Sequence, residues 1–244
     1  WLLAPTAGTT NSGAVDPLPD CAELAARHGL WLHTDGAYGA FFALCAEGRA
    51  RLAGMEAADS LVADPHKGLF APMGTGAVLV RHLEPLRRAH AYAADYLPVP
   101  PEDLDELSPT EVTLEFSKHA RALRLWLPLQ LHGIAPFRAA LEEKLRLAEL
   151  AWDGLQRLPG LEPVAAPQLS VMAFRFLSPA GDADAFNQRI LESLQREGRV
   201  FLSGTRLRGA FCLRLAVLAL RTHRAEVEEA LTCLARAHEG ALGA

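Results

Sequence analysis

Positive charge is in short supply. Lysine and arginine number 24 against 29 aspartates and glutamates, a net charge of −5 with an isoelectric point near 6.0. That balance gives no electrostatic case for nucleic acid. Long apolar runs are missing too. No stretch approaches the ~20 residues that a membrane-spanning helix needs, so no membrane partner is expected. No basic stretch leading into an apolar segment opens the chain, so no secretory leader is read. Cysteine is sparse: Cys21, Cys45, Cys212 and Cys233 lie far apart and form no C-x-x-C pair. They read as reduced thiols of a cytoplasmic protein, neither a disulfide frame nor a metal site. A glycine-rich loop that could cradle a phosphate is absent as well. So is an initiator methionine. The chain opens on Trp1-Leu2-Leu3-Ala4, inside what reads as a strand, and is expected to be a fragment of a longer protein.

What is present is apolar sequence in short, regularly interrupted pieces. Half of the 244 residues are apolar, enough for one large domain or two small ones. Residues 1–4 read as the end of a buried strand, and Pro5 to Gly13 as a loop of small hydroxylic residues and glycine. A helix is expected from Pro17 to His28, with Gly29 just past its end. Leu30–His33, Ser60–Ala63 and Gly76–Val80 read as strands. Strands alternating with helices predict an α/β fold with a mostly parallel sheet. Ala91 to Thr113 carries four prolines and an acidic cluster, Glu102, Asp103, Asp105 and Glu106. It is expected to be a mobile functional loop. Helices follow at about 115–132 and 136–157, then a strand at Val171–Phe176 and a helix at about 182–197. Strands near 199–203 and 210–217 and a helix at 222–237 complete a small α+β unit. The expected division is a larger unit over 1–132 and a small one over 133–244.

Two of the short apolar runs end in chemistry. Gly29-Leu30-Trp31-Leu32-His33-Thr34 runs into Asp35, and Ser60-Leu61-Val62-Ala63 runs into Asp64-Pro65-His66-Lys67, 67 − 35 = 32 positions on from the aspartate. In open α/β sheets reactive groups collect just past the carboxyl ends of strands. A lysine and an aspartate set there suit pyridoxal 5'-phosphate. The lysine holds the cofactor aldehyde as a Schiff base, and the aspartate keeps the ring nitrogen protonated.

The blocks Thr6-Ala7-Gly8-Thr9-Thr10, His33 through Gly39, and Ala58-Asp59-Ser60 through Lys67 resemble the group II pyridoxal-phosphate-dependent amino-acid decarboxylases. These include the aromatic-amino-acid and glutamate decarboxylases. The likeness continues through Arg121–Trp126 and Leu213-Arg214-Leu215. It implies a fold-type I chain, represented by the later part of the large domain and the small carboxyl-terminal domain. It implies decarboxylation of an L-amino acid to the amine and carbon dioxide. It also implies a homodimer with the active site at the interface. Transamination or aldehyde synthesis on the same fold, or an inactive fragment, are the alternatives.

By the same resemblance, Lys67 is the Schiff-base lysine and Asp35 the partner of the ring nitrogen. His66 lies against cofactor or substrate carboxylate, and Thr10 beside the ring hydroxyl. Ala37 is the small residue under the ring face, and Ser117 reaches the phosphate of the neighbouring subunit through its backbone. Tyr96 is the loop tyrosine that returns a proton to the α-carbon. Asp64 stands where relatives often carry asparagine near the phosphate, and is expected to orient His66 or cap a turn instead. Arg214, on an apolar strand, is expected in a structural ion pair. Gly68 stands where many relatives have tryptophan and Gly36 where they have alanine. Both are expected to loosen the site.

Overall fold

The computed structural model describes residues 1–90, 92, 108–179 and 181–243. Leu2–Leu3 form β1 and pair in parallel with Trp31 and Leu32 of β2, Trp31–Asp35. β2 runs parallel to β3, Ser60–Ala63, with Asp35 opposite Val62. β4, Ala77–Val80, adds antiparallel to β3, giving the order β1-β2-β3-β4. The sheet is therefore mostly parallel, and its parallel strands all deliver their carboxyl ends to one edge.

The crossover from β1 to β2 carries helix α1, Leu18–His28. It starts with proline in its first turn, has Asp20 near the amino end and Arg27 and His28 near the carboxyl end. Each charge opposes the local end of the helix dipole. Gly29 stops it at φ 61°, donating back to Ala25 and Ala26 in a left-handed cap that disfavours a β-carbon. Leu18 and Ala25 face inward. The next crossover holds a short 3-10 turn, Ala40–Leu44, and helix α2, Ala46–Arg51. Helix α3, Pro65–Gly68, follows β3 directly. Helix α4, Leu83–His90, follows β4, and helix α5 spans Leu123–His132.

The second sheet is antiparallel throughout. Its strands are β5 (Leu161–Ala165), β6 (Val171–Phe176), β7 (Ser203–Leu207) and β8 (Ala210–Ala216), in the order β5-β6-β8-β7. Helix α7, Ala183–Glu197, packs against it, and α8, Arg224–Leu242, packs on α7 and on the helix described next. Asp182 caps α7 by accepting from the Ala185 amide at 3.0 Å, an arrangement worth about 1 kcal/mol. Between the sheets runs helix α6, Ala135–Leu155. Its first half contributes Leu141 and Leu145 to a core with Ala7, Tyr38, Phe42 and Leu169. Its second half contributes Ala148, Ala151 and Leu155 to a core with Phe174, Phe176, Leu213 and Leu234. Each fully buried Leu or Phe there contributes about 1.5–3 kcal/mol of burial free energy. Lys144 is buried on the same helix, and its ammonium is satisfied by Glu143 at 3.1 Å and by the carbonyls of Leu220 and Thr222.

Several elements differ from expectation. The helix expected from about 115 begins only at Leu123, because Leu114 and Phe116 are exposed and have no core to pack on. The strand expected near 199–203 lies at Ser203–Leu207. It is set there by the two-residue turn Arg208-Gly209, both at positive φ (49° and 84°), which matches the twist of a tight hairpin. β5 and α4 were not anticipated.

Candidate active site

Asp35 ends β2, and the Gly36 amide donates to the Val62 carbonyl at 3.0 Å, so the two parallel strands stay joined to their last residues. Asp64 is two residues beyond Val62, and Pro65 starts α3 at once. Adjacent strands lie ~4.8 Å apart, so Asp35 and the Asp64–Lys67 turn emerge side by side from one edge. On the other flank of Asp35, its amide donates to the Pro5 carbonyl at 2.9 Å and its carbonyl accepts from Ala7 at 2.7 Å. The three sequence blocks thus converge on three neighbouring lines of chain.

The Asp35 side chain is held by the Ala37 amide, 3.1 Å from Oδ1. No ion pair to it forms among the described residues, and the residue is exposed. Lys67 keeps 41% of its side chain exposed, with Nζ 2.8 Å from Asp64 Oδ2. An unpaired carboxylate and an accessible amine on one edge are the groups that pyridoxal phosphate requires: a counter-charge for its ring nitrogen and a nucleophile for its aldehyde. The residues present fit the cofactor. Ala37 is half-buried beside Asp35, which keeps bulk low there.

His66 is oriented by Thr75. Its Nδ1 donates to the Thr75 carbonyl at 2.7 Å, which leaves Nε2 as the nitrogen available for other chemistry. Of the two roles expected of Asp64, orienting His66 or capping the turn, only the cap needs correction, since Asp64 Oδ2 lies 3.9 Å from His66 Nε2. Asp64 occupies the position before α3, yet its side chain makes no capping hydrogen bond. It pairs with Lys67 instead, three positions on along a helical turn, where side chains meet. That spacing was available in Asp-Pro-His-Lys and was the signal passed over.

Thr10 is exposed at the tip of a turn closed by hydrogen bonds from Gly13 to Thr9 and from Thr9 to Ala14. Its carbonyl accepts from Arg214 Nε at 2.7 Å. Arg214 also donates to the Ser203 hydroxyl at 3.4 Å. It is therefore bound to neutral oxygens, not in the expected ion pair. Tyr38 was not singled out, but it ties the same block to the second sheet. Its hydroxyl accepts from the Ser170 amide at 2.7 Å and lies 2.8 Å from Ser170 Oγ. Burial pushes the phenol up to about 12, partly opposed by Ser170 and by the charge of Arg214. It is a neutral anchor.

The expectation that Gly36 and Gly68 loosen the site is overturned by packing. A β-carbon on Gly36 would stand 2.7 Å from Ala40 Cβ and 2.8 Å from Leu61 Cδ1. One on Gly68 would stand 2.7 Å from Phe41 Cβ. Both glycines mark tight approaches. Ser117 is exposed. The segment around it borders a cleft of about 540 Å³ with Pro65, Thr75 and Ala77, but Ser117 itself does not line that cleft. Tyr96 lies outside the described residues. Among the described residues no helix is long and apolar enough to cross a membrane, and no cluster of three His, Cys, Asp or Glu could hold a metal ion.

Comparison with known proteins supplies the rest. An aromatic-L-amino-acid decarboxylase of Bacillus atrophaeus is 34% identical over 232 residues, covering 93% of this chain and 48% of that protein. The crystal structure of Catharanthus roseus tryptophan decarboxylase in complex with L-tryptophan superposes with a TM-score of 0.89 at 28% identity, over 99% of this chain and 51% of that one. The Oryza sativa enzyme solved with PLP and tryptamine gives a TM-score of 0.89 at 26% identity, again over 99% and 51%. The chain spans about half the length of these relatives. The sequence model of the pyridoxal-dependent decarboxylase conserved domain matches residues 1–177. With that match covering most of the 244 residues, and the fold recovered across nearly all of them, the chain belongs to the pyridoxal-dependent decarboxylase family.

Proposed function

We propose that this chain is the lysine-bearing part of a carboxy-lyase that removes carbon dioxide from an L-amino acid, leaving the amine. The observation that carries the reading is the delivery of Asp35 and Lys67 to one sheet edge by neighbouring parallel strands. Aromatic L-amino acids are the proposed substrates, on the strength of relatives named as aromatic-amino-acid and tryptophan decarboxylases.

Pyridoxal phosphate, when bound, supplies an electron sink for the bond that breaks at the α-carbon. The chain's own groups do the remaining work. Lys67 Nζ is the group that would hold the cofactor through its aldehyde. The Asp35 carboxylate keeps a proton on the ring nitrogen, since a neighbouring negative charge favours the cationic form. His66, fixed through Nδ1 by Thr75, offers Nε2 toward the substrate carboxylate. Thr10 would lie beside the ring hydroxyl and Ala37 against the ring face, and Ser117 would reach the phosphate of the neighbouring subunit through its backbone. Tyr96 delivers a proton to the α-carbon, which separates simple decarboxylation from aldehyde formation.

A homodimer with the site at its interface accompanies this reading. It is supported by the exposed apolar side chains of Leu123, Trp126, Leu127 and Leu131 on α5, a density that marks contact surfaces. A cytoplasmic, reducing location is supported by four cysteines that are all unpaired. The proposed boundary between the two units falls at 132/133, just before α6.

Absorbance tests the reading. The full-length protein mixed with pyridoxal phosphate is expected to develop the visible band of lysine-bound cofactor, and Lys67→Ala to lose both the band and carbon dioxide release. Ammonia with an aldehyde, or a keto acid, as the main product would overturn decarboxylation in favour of the alternatives.

A further inference from the structure

The amine assigned to the cofactor already has a partner. Lys67 Nζ sits 2.8 Å from Asp64 Oδ2, and the Asp64 side chain is mostly buried, at 18% exposure. The same oxygen lies 3.9 Å from His66 Nε2. Because His66 Nδ1 is committed to the Thr75 carbonyl, Nε2 is the imidazole atom that faces this carboxylate. Asp64 is free for that task, since its side chain takes no part in capping α3. The neighbouring backbone leaves it room. A β-carbon on Gly76 would come within 3.3 Å of Asp64 Oδ1. One carboxylate, rigidly placed at the β3–α3 junction, thus stands between an ammonium and an imidazole nitrogen.

We propose that Asp64 is a positioning residue that docks the Lys67 ammonium whenever that amine is not bonded to the cofactor. This rests on the reading of Lys67 as the cofactor-holding lysine. An ammonium has no lone pair and cannot attack an aldehyde. Attachment requires that Lys67 leave Asp64 and lose a proton to solvent. Its nitrogen then adds to the aldehyde carbon, the C=N bond forms, and the carbonyl oxygen departs as water. The ion pair opposes the first of these events and so restrains attachment. After substrate has displaced the lysine, the same contact holds the released amine aside and slows its return. A carboxylate at this position does what a neutral amide of the same shape would not, because only the charge stabilises the ammonium.

The test is the kinetics of cofactor attachment, read by absorbance and not by turnover. Full-length protein stripped of cofactor is mixed with pyridoxal phosphate, and growth of the lysine-bound band is followed near neutral pH. Asp64→Asn is expected to accelerate band growth about tenfold near neutral pH. Asp64→Glu, which keeps the charge, is expected to stay close to the slow parent rate. If Asp64→Asn does not fold, Asp64→Ser serves the same comparison. An unchanged rate in the neutral variant, with Lys67→Ala still abolishing the band, would overturn the role of Asp64 alone. A band that survives Lys67→Ala would overturn the assignment of Lys67 beneath it.

Discussion

A β-carbon on Gly39 would stand 1.9 Å from the carbonyl oxygen of Ala7 and 2.8 Å from Leu169 Cδ1. Backbone cannot yield as a flexible side chain does, so the turn that follows Asp35 would have to separate from the neighbouring line of chain at Ala7. Gly39→Ala is expected to cost about 3 kcal/mol, seen as a lower urea midpoint with an unchanged slope. A midpoint equal to the parent's would contradict the close approach. At this scale the placing of Lys67 and Asp35 at strand ends was legible in the sequence, and the packing around them was not. Lys67 and Asp35 announce themselves because each ends a short apolar run. Gly36 and Gly68 look like looseness in a string of letters, and Gly39 draws no notice. Only the positions of Ala40, Ala7 and Phe41 show them to be points where no side chain fits.

At the scale of elements, the second sheet reaches back to hold the first. Arg214 on β8 bonds the Thr10 carbonyl and the Ser203 hydroxyl across from it on β7. Tyr38 bonds Ser170, next to the start of β6. If Thr10 borders the cofactor as proposed, Arg214→Met releases the tip of its turn. Retention of pyridoxal phosphate on dialysis is then expected to fall severalfold, a loss of about 1 kcal/mol. Arg214→Lys is expected to restore it only in part, because an ammonium lacks the planar fork that reaches two acceptors. Equal retention in all three proteins would remove Arg214 from the site. Helices with caps and one apolar face, α1 and α7, were readable in advance. β5 was not, because Pro163 lies in it; the strand is tolerated as the sheet edge, with an irregular register between Pro163 and Ala165.

The whole molecule has two cores joined by one helix, and its pH response should come partly from the second. His238 is 4% exposed, stacked on Phe176 at 4.3 Å between ring centroids and edge-on to Phe186 at 5.8 Å. Burial pushes its pKa below the ordinary 6.5, with Glu239 opposing the shift. The unfolded chain therefore takes up this proton first as the pH falls. The stabilising contribution is intact above the ordinary value and is lost as the pH drops below it toward the folded value. Between about pH 7.5 and about pH 5.5 the parent is expected to lose more stability in urea than His238→Phe; equal losses would place the acid sensitivity elsewhere. The sequence by itself determined the fold class, the family and the strand ends at which Asp35 and Lys67 stand, because these depend on local apolar patterning and on residues carried in short motifs. Only tertiary structure decided that Thr75 orients His66 and that Arg214 grips the Thr10 turn from 204 residues away. Such contacts depend on the direction of a turn or the crossing of distant strands, and a backbone carbonyl acceptor leaves no trace in residue type.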